Sequence, residues 1–259
     1  MSRSLLSSSW PRAALPLSAA LASLALVGPA AARCGDAPAP KVDWTGCSKP
    51  AILLEGDNLA GAVFVRARLS GTDFNRATLT GARFTEADVS SARFDGADLA
   101  GADLSKTMGW RTNFPGANLQ KANLQSADMS RSNFTGAKIA GANFSKAEVN
   151  RSDFRNADLT GTDMSKAELA RVLFGNTKLQ GVNFSFSNLS RARLNAAVLA
   201  DVNLTDAYLL LTQIGGADLT RVKGLTQDQL DMTCGTPETK LPQGLAAPKT
   251  WPCGAEDTE

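Results

Sequence analysis

From Leu54 to Leu219 a large apolar residue recurs every five positions. The series runs Leu54, Leu59, Phe64, Leu69, Phe74, Leu79, Phe84, Val89, Phe94, Leu99 and Leu104. It misses at Gly109, resumes in phase at Phe114, Leu119, Leu124 and Met129, and holds to Leu219. Two residues earlier stands a small one, as at Ala77, Ala82, Ala87, Ala97, Ala102, Ala117 and Ala122, with Ser132, Thr162 or Val182 in its place elsewhere. A period of five is neither that of a helix nor that of a strand, so the chain is a repeat architecture.

A second period lies inside the first. Phe74, Phe94, Phe114, Phe134, Phe154 and Phe174 are spaced by twenty, and so is the aliphatic series Leu59, Leu79, Leu99, Leu119, Ile139, Leu159, Leu179, Leu199 and Leu219. Like residues returning at this interval describe a four-sided coil with one five-residue unit per side. The large residue and the small one two before it share a face of extended backbone and point inward. Turns stacked at about 4.8 Å make about 170 residues into roughly eight turns, a rod about 40 Å long. The phenylalanines then form a ladder of stacked rings.

Units such as Ala97-Asp98-Leu99-Ala100-Gly101, Ala117-Asn118-Leu119, Ala122-Asn123-Leu124 and Ala157-Asp158-Leu159-Thr160-Gly161 resemble the A-(D/N)-L-x-x pattern of the pentapeptide repeat family. The resemblance spans about two thirds of the chain. It implies an all-β fold, a right-handed quadrilateral β-helix with four repeats per coil and a cap at each end. It also implies a protein that is not an enzyme.

The flanks read differently. Arg3 and Arg12, an apolar run from Ala13 to Val27 and an Ala-rich end at Ala32 form a secretory signal peptide over 1–32. The run is too short for a membrane anchor and carries Pro16, and Arg33 before Cys34 argues against a lipid-attachment site. Cys34 and Cys47 fall before the repeats, Cys234 and Cys253 after them, and none inside. In an oxidising compartment this placement reads as two local disulfides, Cys34–Cys47 and Cys234–Cys253. A zinc site is the weaker reading, since the spacings make no Cys-x-x-Cys knuckle and the chain has no His. The expected organisation is an N-terminal cap over 33–53, the β-helix over 54–223 and a C-terminal cap over 224–259. Trp44 is expected to lie over the first turn. Thr226 and Gln229 bracket a short helix with a capping box.

Beyond the regular core four features stand out. Asp or Asn often precedes the large residue, as at Asp98, Asp103, Asp158 and Asp163, where such side chains bond nearby backbone. Pairs of these carboxylates are nominal candidates for glycoside cleavage, but the repeat itself accounts for every one. Arg111, Arg131, Arg151, Arg171 and Arg191 form an outward column, with Asp128, Glu148 and Glu168 three residues before three of them. The expected reading is a self-neutralising ladder, and the rival is a stripe that binds a polyanion. Gly109 suggests a local bulge that turns Trp110 outward. Finally Phe186, Tyr208, Leu210 and Leu211 occupy outward slots and form an apolar patch, to be covered by the tail through Leu225, Leu230, Leu241 or Trp251, or else by a partner or a second copy.

Composition narrows the function. No phosphate-binding glycine loop or nucleophile–base set is present, and no catalytic residue, metal or cofactor is expected. The best-known members of the resembling family mimic DNA and shield type II topoisomerases, which requires an acidic rod. Between Glu55 and Lys223 the chain carries 20 Lys or Arg against 17 Asp or Glu, a net of +3 and the wrong sign. Neither nucleic acid nor, after signal cleavage, a membrane is an expected partner. The sequence therefore reads as an exported bacterial interaction rod, periplasmic or secreted, whose partner is an unidentified protein or a homodimer mate at the C-terminal apolar patch.

Overall fold

The computed structural model describes residues 33–254. The expected signal peptide at 1–32 lies outside the described residues, as does the tail from Ala255.

Residues 43 to 223 wind as a right-handed quadrilateral β-helix. Its bridges are parallel and join each residue to the one twenty further on, for example Asp73 to Arg93, Arg93 to Asn113 and Asn113 to Asn133. The local chemistry of each unit explains the square. The carboxylate Oδ1 of Asp103 accepts the N–H of Ser105 at 3.0 Å, and Oδ1 of Asp163 accepts that of Ser165 at 3.0 Å, which turns the chain at each corner. The second corner residue is left-handed: Gly136 has φ 67°, and Arg131 tolerates φ 59° in the equivalent place.

The core is solid and made of columns. Phe74, Phe94, Phe114, Phe134, Phe154 and Phe174 stack with successive centroids 4.8, 4.9, 5.0, 4.6 and 5.7 Å apart. A second column places Phe64 on Phe84 at 4.7 Å and meets the first edge-on. Buried Ser and Thr in small slots satisfy themselves: Ser132 Oγ donates to the Gly109 carbonyl at 2.9 Å and accepts the Thr112 N–H at 3.0 Å.

Gly109 makes no bulge. Its N–H donates to the Asp128 carbonyl at 2.7 Å, and Met108 bridges both Asp88 and Asp128. The space a side chain would fill there is taken by Met129, whose sulfur lies 2.3 Å from where a Cβ would stand. A flexible thioether leaning from the next turn replaces the missing rung.

The coil also starts earlier than Leu54. Asp43 bridges Val63 and Ser48 bridges Arg68. Val42 and Cys47 fill small slots, and Trp44 is buried edge-on to Phe64 at 5.7 Å as the first rung of that column. Lys49 holds the next large slot, its ammonium 4.1 Å over the Trp44 ring. A long aliphatic stem with a charge on an aromatic face takes the place of an apolar residue.

At the other end Gln213 pairs with Cys234 and Asp218 with Lys240, so residues beyond the repeats complete two sides of a last turn. Helix α1, Gln227–Asp231, stands in for another side, with a capping box between Thr226 and Gln229. Cys34 is bonded to Cys47 and Cys234 to Cys253, with Cα–Cα separations of 5.5 and 5.3 Å. Among the described residues no helix is long and apolar enough to cross a membrane.

Candidate interaction surface

The side from Asp88 to Tyr208 collects most of the outward residues singled out by the sequence. Its central column runs Asp88, Met108, Asp128, Glu148, Glu168, Asn188 and Tyr208, each bridged to the next. At one corner the N–H groups of Arg111, Arg131, Arg151, Arg171 and Arg191 donate to the carbonyls of Ser130, Asn150, Ala170, Ser190 and Leu210. The five arginines therefore sit one per turn, and Leu211 follows them in the same column.

Trp110 is 41% exposed beside this corner. The Arg111 guanidinium lies 4.1 Å from its ring centroid and that of Arg131 5.8 Å, so the indole carries two cations on its face. At the opposite corner Phe186 is 56% exposed, with the Lys166 ammonium 5.8 Å from its ring. Tyr208 and Leu210 are exposed, while Leu211 is half-buried and donates its N–H to the Met232 carbonyl at 2.7 Å. Met108 is exposed too and adds an apolar residue next to Trp110.

The tail leaves Phe186, Tyr208 and Leu210 exposed and covers the end of the core. Leu230 and Leu225 close over Leu204, Leu209, Ile214 and Leu219. Trp251 packs against Gly235 and donates its indole N–H to the Thr233 carbonyl at 2.7 Å. The open end of a solenoid core must be capped, and the tail's leucines serve that end.

The expected neutralisation of the arginine column is absent for most of it. Among the described residues Arg111, Arg131, Arg151 and Arg191 enter no ion pair, and neither do Asp128, Glu148 and Glu168. The Asp128 Oδ1 is instead engaged by the Ser130 N–H at 3.0 Å, and Glu168 by the Asn188 amide at 2.8 Å. The nominal carboxylate pairs are likewise tied into turns. Burial pushes Asp103 up, but hydrogen bonds from Ser105, Thr85 and Asn123 outweigh it and hold the group below the usual carboxylate range. Thr160 leads the groups that lower Asp158, with Lys178 also contributing. Among the described residues no cluster of acidic residues or cysteines is arranged to hold a metal.

One opening was not visible in the sequence. The bridge expected between Lys178 and Val198 is missing, although Asp158 pairs with Lys178 and Val198 with Asp218. A depression of about 500 Å³ lies there, lined by Asn176, Lys178, Ala197 and Val198, and Val198 is 66% exposed.

Comparison with known families agrees with this geometry. The family described as "Pentapeptide repeat region" matches residues 110–184 and 127–204, and "Pentapeptide repeats (8 copies)" matches 58–96 and 187–223. The chain belongs to the pentapeptide repeat family. Among solved pentapeptide repeat structures, HetL from the cyanobacterium Nostoc sp. strain PCC 7120, involved in heterocyst differentiation regulation, is 22% identical with a TM-score of 0.52. The match covers 81% of this chain and 91% of HetL and reflects a shared fold. QnrB1, a plasmid-mediated fluoroquinolone resistance protein, is 18% identical over 75% of this chain and 91% of its own, with a TM-score of 0.41. A pentapeptide repeat protein of the Arabidopsis thaliana thylakoid lumen is 31% identical over 36% of this chain and 66% of its own, with a TM-score of 0.23. No curated protein matches.

Proposed function

We propose that this pentapeptide repeat protein is an exported, non-catalytic rod that presents one side to a protein partner. The observation that carries the reading is the contrast between its surfaces. Most outward Asp and Asn groups serve the coil by closing turns, as Asp98 does for Ala100 and Asn183 for Ser185. On the side from Met108 to Tyr208, rings and several charges are left unused by the fold. Exposed aromatic and arginine side chains are those that protein interfaces favour.

Export is supported by the basic, apolar and Ala-rich order of residues 3–32 and by two disulfides, which persist in oxidising compartments. The proposed location is the periplasm or the exterior of a bacterial cell. Net charge of +3 over the repeats disfavours a DNA mimic.

Expression of the full chain in a Gram-negative host tests the reading in two steps. The mature protein should begin at Arg33 and be found in the periplasm or medium. Cross-linking there should capture a protein band that Trp110→Ala or Tyr208→Ala weakens. An uncleaved cytoplasmic product would overturn export, and capture indifferent to both substitutions would overturn the surface.

A further inference from the structure

Charges in the central column and arginine corner of this side are ordered unlike those on several other columns. There opposite charges sit one turn apart and pair along the rod: Arg93 with Asp73, Lys106 with Glu86, Lys178 with Asp158 and Arg221 with Asp201, although Lys146 and Lys166 further along the Glu86 column are also like charges on consecutive turns. Here like follows like. Asp128, Glu148 and Glu168 are consecutive rungs of one column, and five arginines descend the corner three residues on. Like charges facing each other across a ladder repel. A ladder of the opposite sign on each column would lift that cost.

We propose that the opposite ladders come from a second copy of this chain, docked side by side and parallel. The two-fold axis would run along the rod, between the acidic column and the arginine corner. Such a rotation preserves height and exchanges the columns. Three residues of a twenty-residue turn change height by less than about 1 Å when turns are about 4.8 Å apart. Asp128, Glu148 and Glu168 of each copy therefore stand level with Arg131, Arg151 and Arg171 of the other without sliding. The ends match as well: Tyr208 meets the mate's Leu211 beside Leu210, and Met108 meets Arg111 where it covers Trp110. An antiparallel pairing on this side lays each column on itself, acid over acid, and is disfavoured for that reason. A two-fold contact needs a self-complementary surface, and one chain carries both ladders in matching register.

The proposal rests on the interaction-rod reading and names the occupant of its surface. The contact covers about six turns, roughly 29 Å by 10–15 Å, or on the order of 400 Å² per copy. That is about half of what a standard interface buries on each partner. The dimer should be weak, with a Kd in the micromolar range or above, and should disperse in salt.

Sedimentation velocity on the mature protein, from micromolar to near-millimolar at low and high salt, tests this. The expected result is a concentration-dependent dimer that salt dissolves. Arg151→Glu with Arg171→Glu, and separately Glu148→Arg with Glu168→Arg, should each give monomers with unchanged circular dichroism. Mixed in equal amounts, the two variants should dimerise again, because every reversed rung meets its complement. A wild type that stays monomeric overturns the proposal, as does a dimer that survives either reversal or a mixture that stays monomeric. A monomer would leave the interaction-rod reading standing, since the cross-linking experiment decides that separately.

Discussion

Phe134 lies on Phe154 with ring centroids 4.6 Å apart and planes 7° from parallel, while Phe114 closes its other face at 5.0 Å. Three rings on successive turns make the middle of the rod a continuous aromatic column. Phe134→Ala should lower stability by about 3–5 kcal/mol, because the neighbouring turns are fixed by backbone bonds and cannot collapse into the void. Phe134→Leu should cost only about 1–2 kcal/mol, since Leu194 fills a rung of the same column. Denaturant titration of the two variants checks the order; equal costs would mean that the column is not packed as a solid.

Gln229 closes the C-terminal end from within. Its buried side-chain amide donates to the Leu204 and Ala207 carbonyls at 2.8 and 2.9 Å, and its oxygen accepts the Thr226 N–H at 2.9 Å. Gln229→Ala strands those carbonyls under Leu230 and should cost about 2–3 kcal/mol. Thr226→Ala, which removes the helix cap and the hydroxyl's 3.2 Å bond to the Gln229 side-chain oxygen but leaves the Gln229 amide on both carbonyls, should cost about 1 kcal/mol. Thermal melts of both variants rank them, and a larger loss for Thr226→Ala would show that the cap, not the seal, holds the end.

The square cross-section and the phenylalanine column were legible in the sequence because every turn repeats the same packing problem. What escaped the pattern were places where an unusual residue solves that problem by another route. Lys49 keeps a core slot by laying its charge on Trp44, so the coil starts before the apolar series does. Met129 fills the slot that Gly109 leaves empty, so no bulge forms. The outward placement of the arginine corner followed from spacing alone, but the absence of ion pairs at Arg111, Arg131, Arg151 and Arg191 among the described residues did not, because side-chain reach across a corner is not a periodic property. The missing bridge at Val198 left no trace either: Ala197 and Leu199 obey the repeat on both sides of it.

Acid should weaken the rod over a defined range. Thr160 and Lys178 lower Asp158, Thr220 and Lys240 lower Asp218, and Asp103 is held low by hydrogen bonds that outweigh its burial. A carboxylate with a depressed folded-state pKa stabilises above its unfolded value, near 3.9, and loses that contribution as pH falls through the folded value. Melting temperature should therefore hold from neutral pH to about 4.5 and drop below about 4. A decline beginning near pH 6 would contradict it, and with no His in the chain no side chain with an ordinary pKa there could account for it.

The break beside Val198 should be where the rod opens first. Among the described residues the N–H groups of Asn176, Leu179 and Val198 make no backbone hydrogen bond, whereas the equivalent N–H groups of Asn156, Leu159 and Lys178 donate to Gly175, Lys178 and Ala157. Those three amides should exchange with solvent far faster than those of Ile139 and Leu159, and mass-resolved hydrogen exchange would read the contrast directly. Turns of a solenoid couple only to their neighbours, so a weakened interface divides the rod into a longer part before it and a shorter part after it. The shorter part, residues 198–254, should lose protection at lower denaturant than residues 60–170. Reduction of Cys234–Cys253 should widen the gap, because that bond closes a loop of 19 residues worth about 3 kcal/mol in chain entropy. Uniform protection from end to end would show that Val198 pairs with the turn above it in solution and that the rod unfolds as one unit.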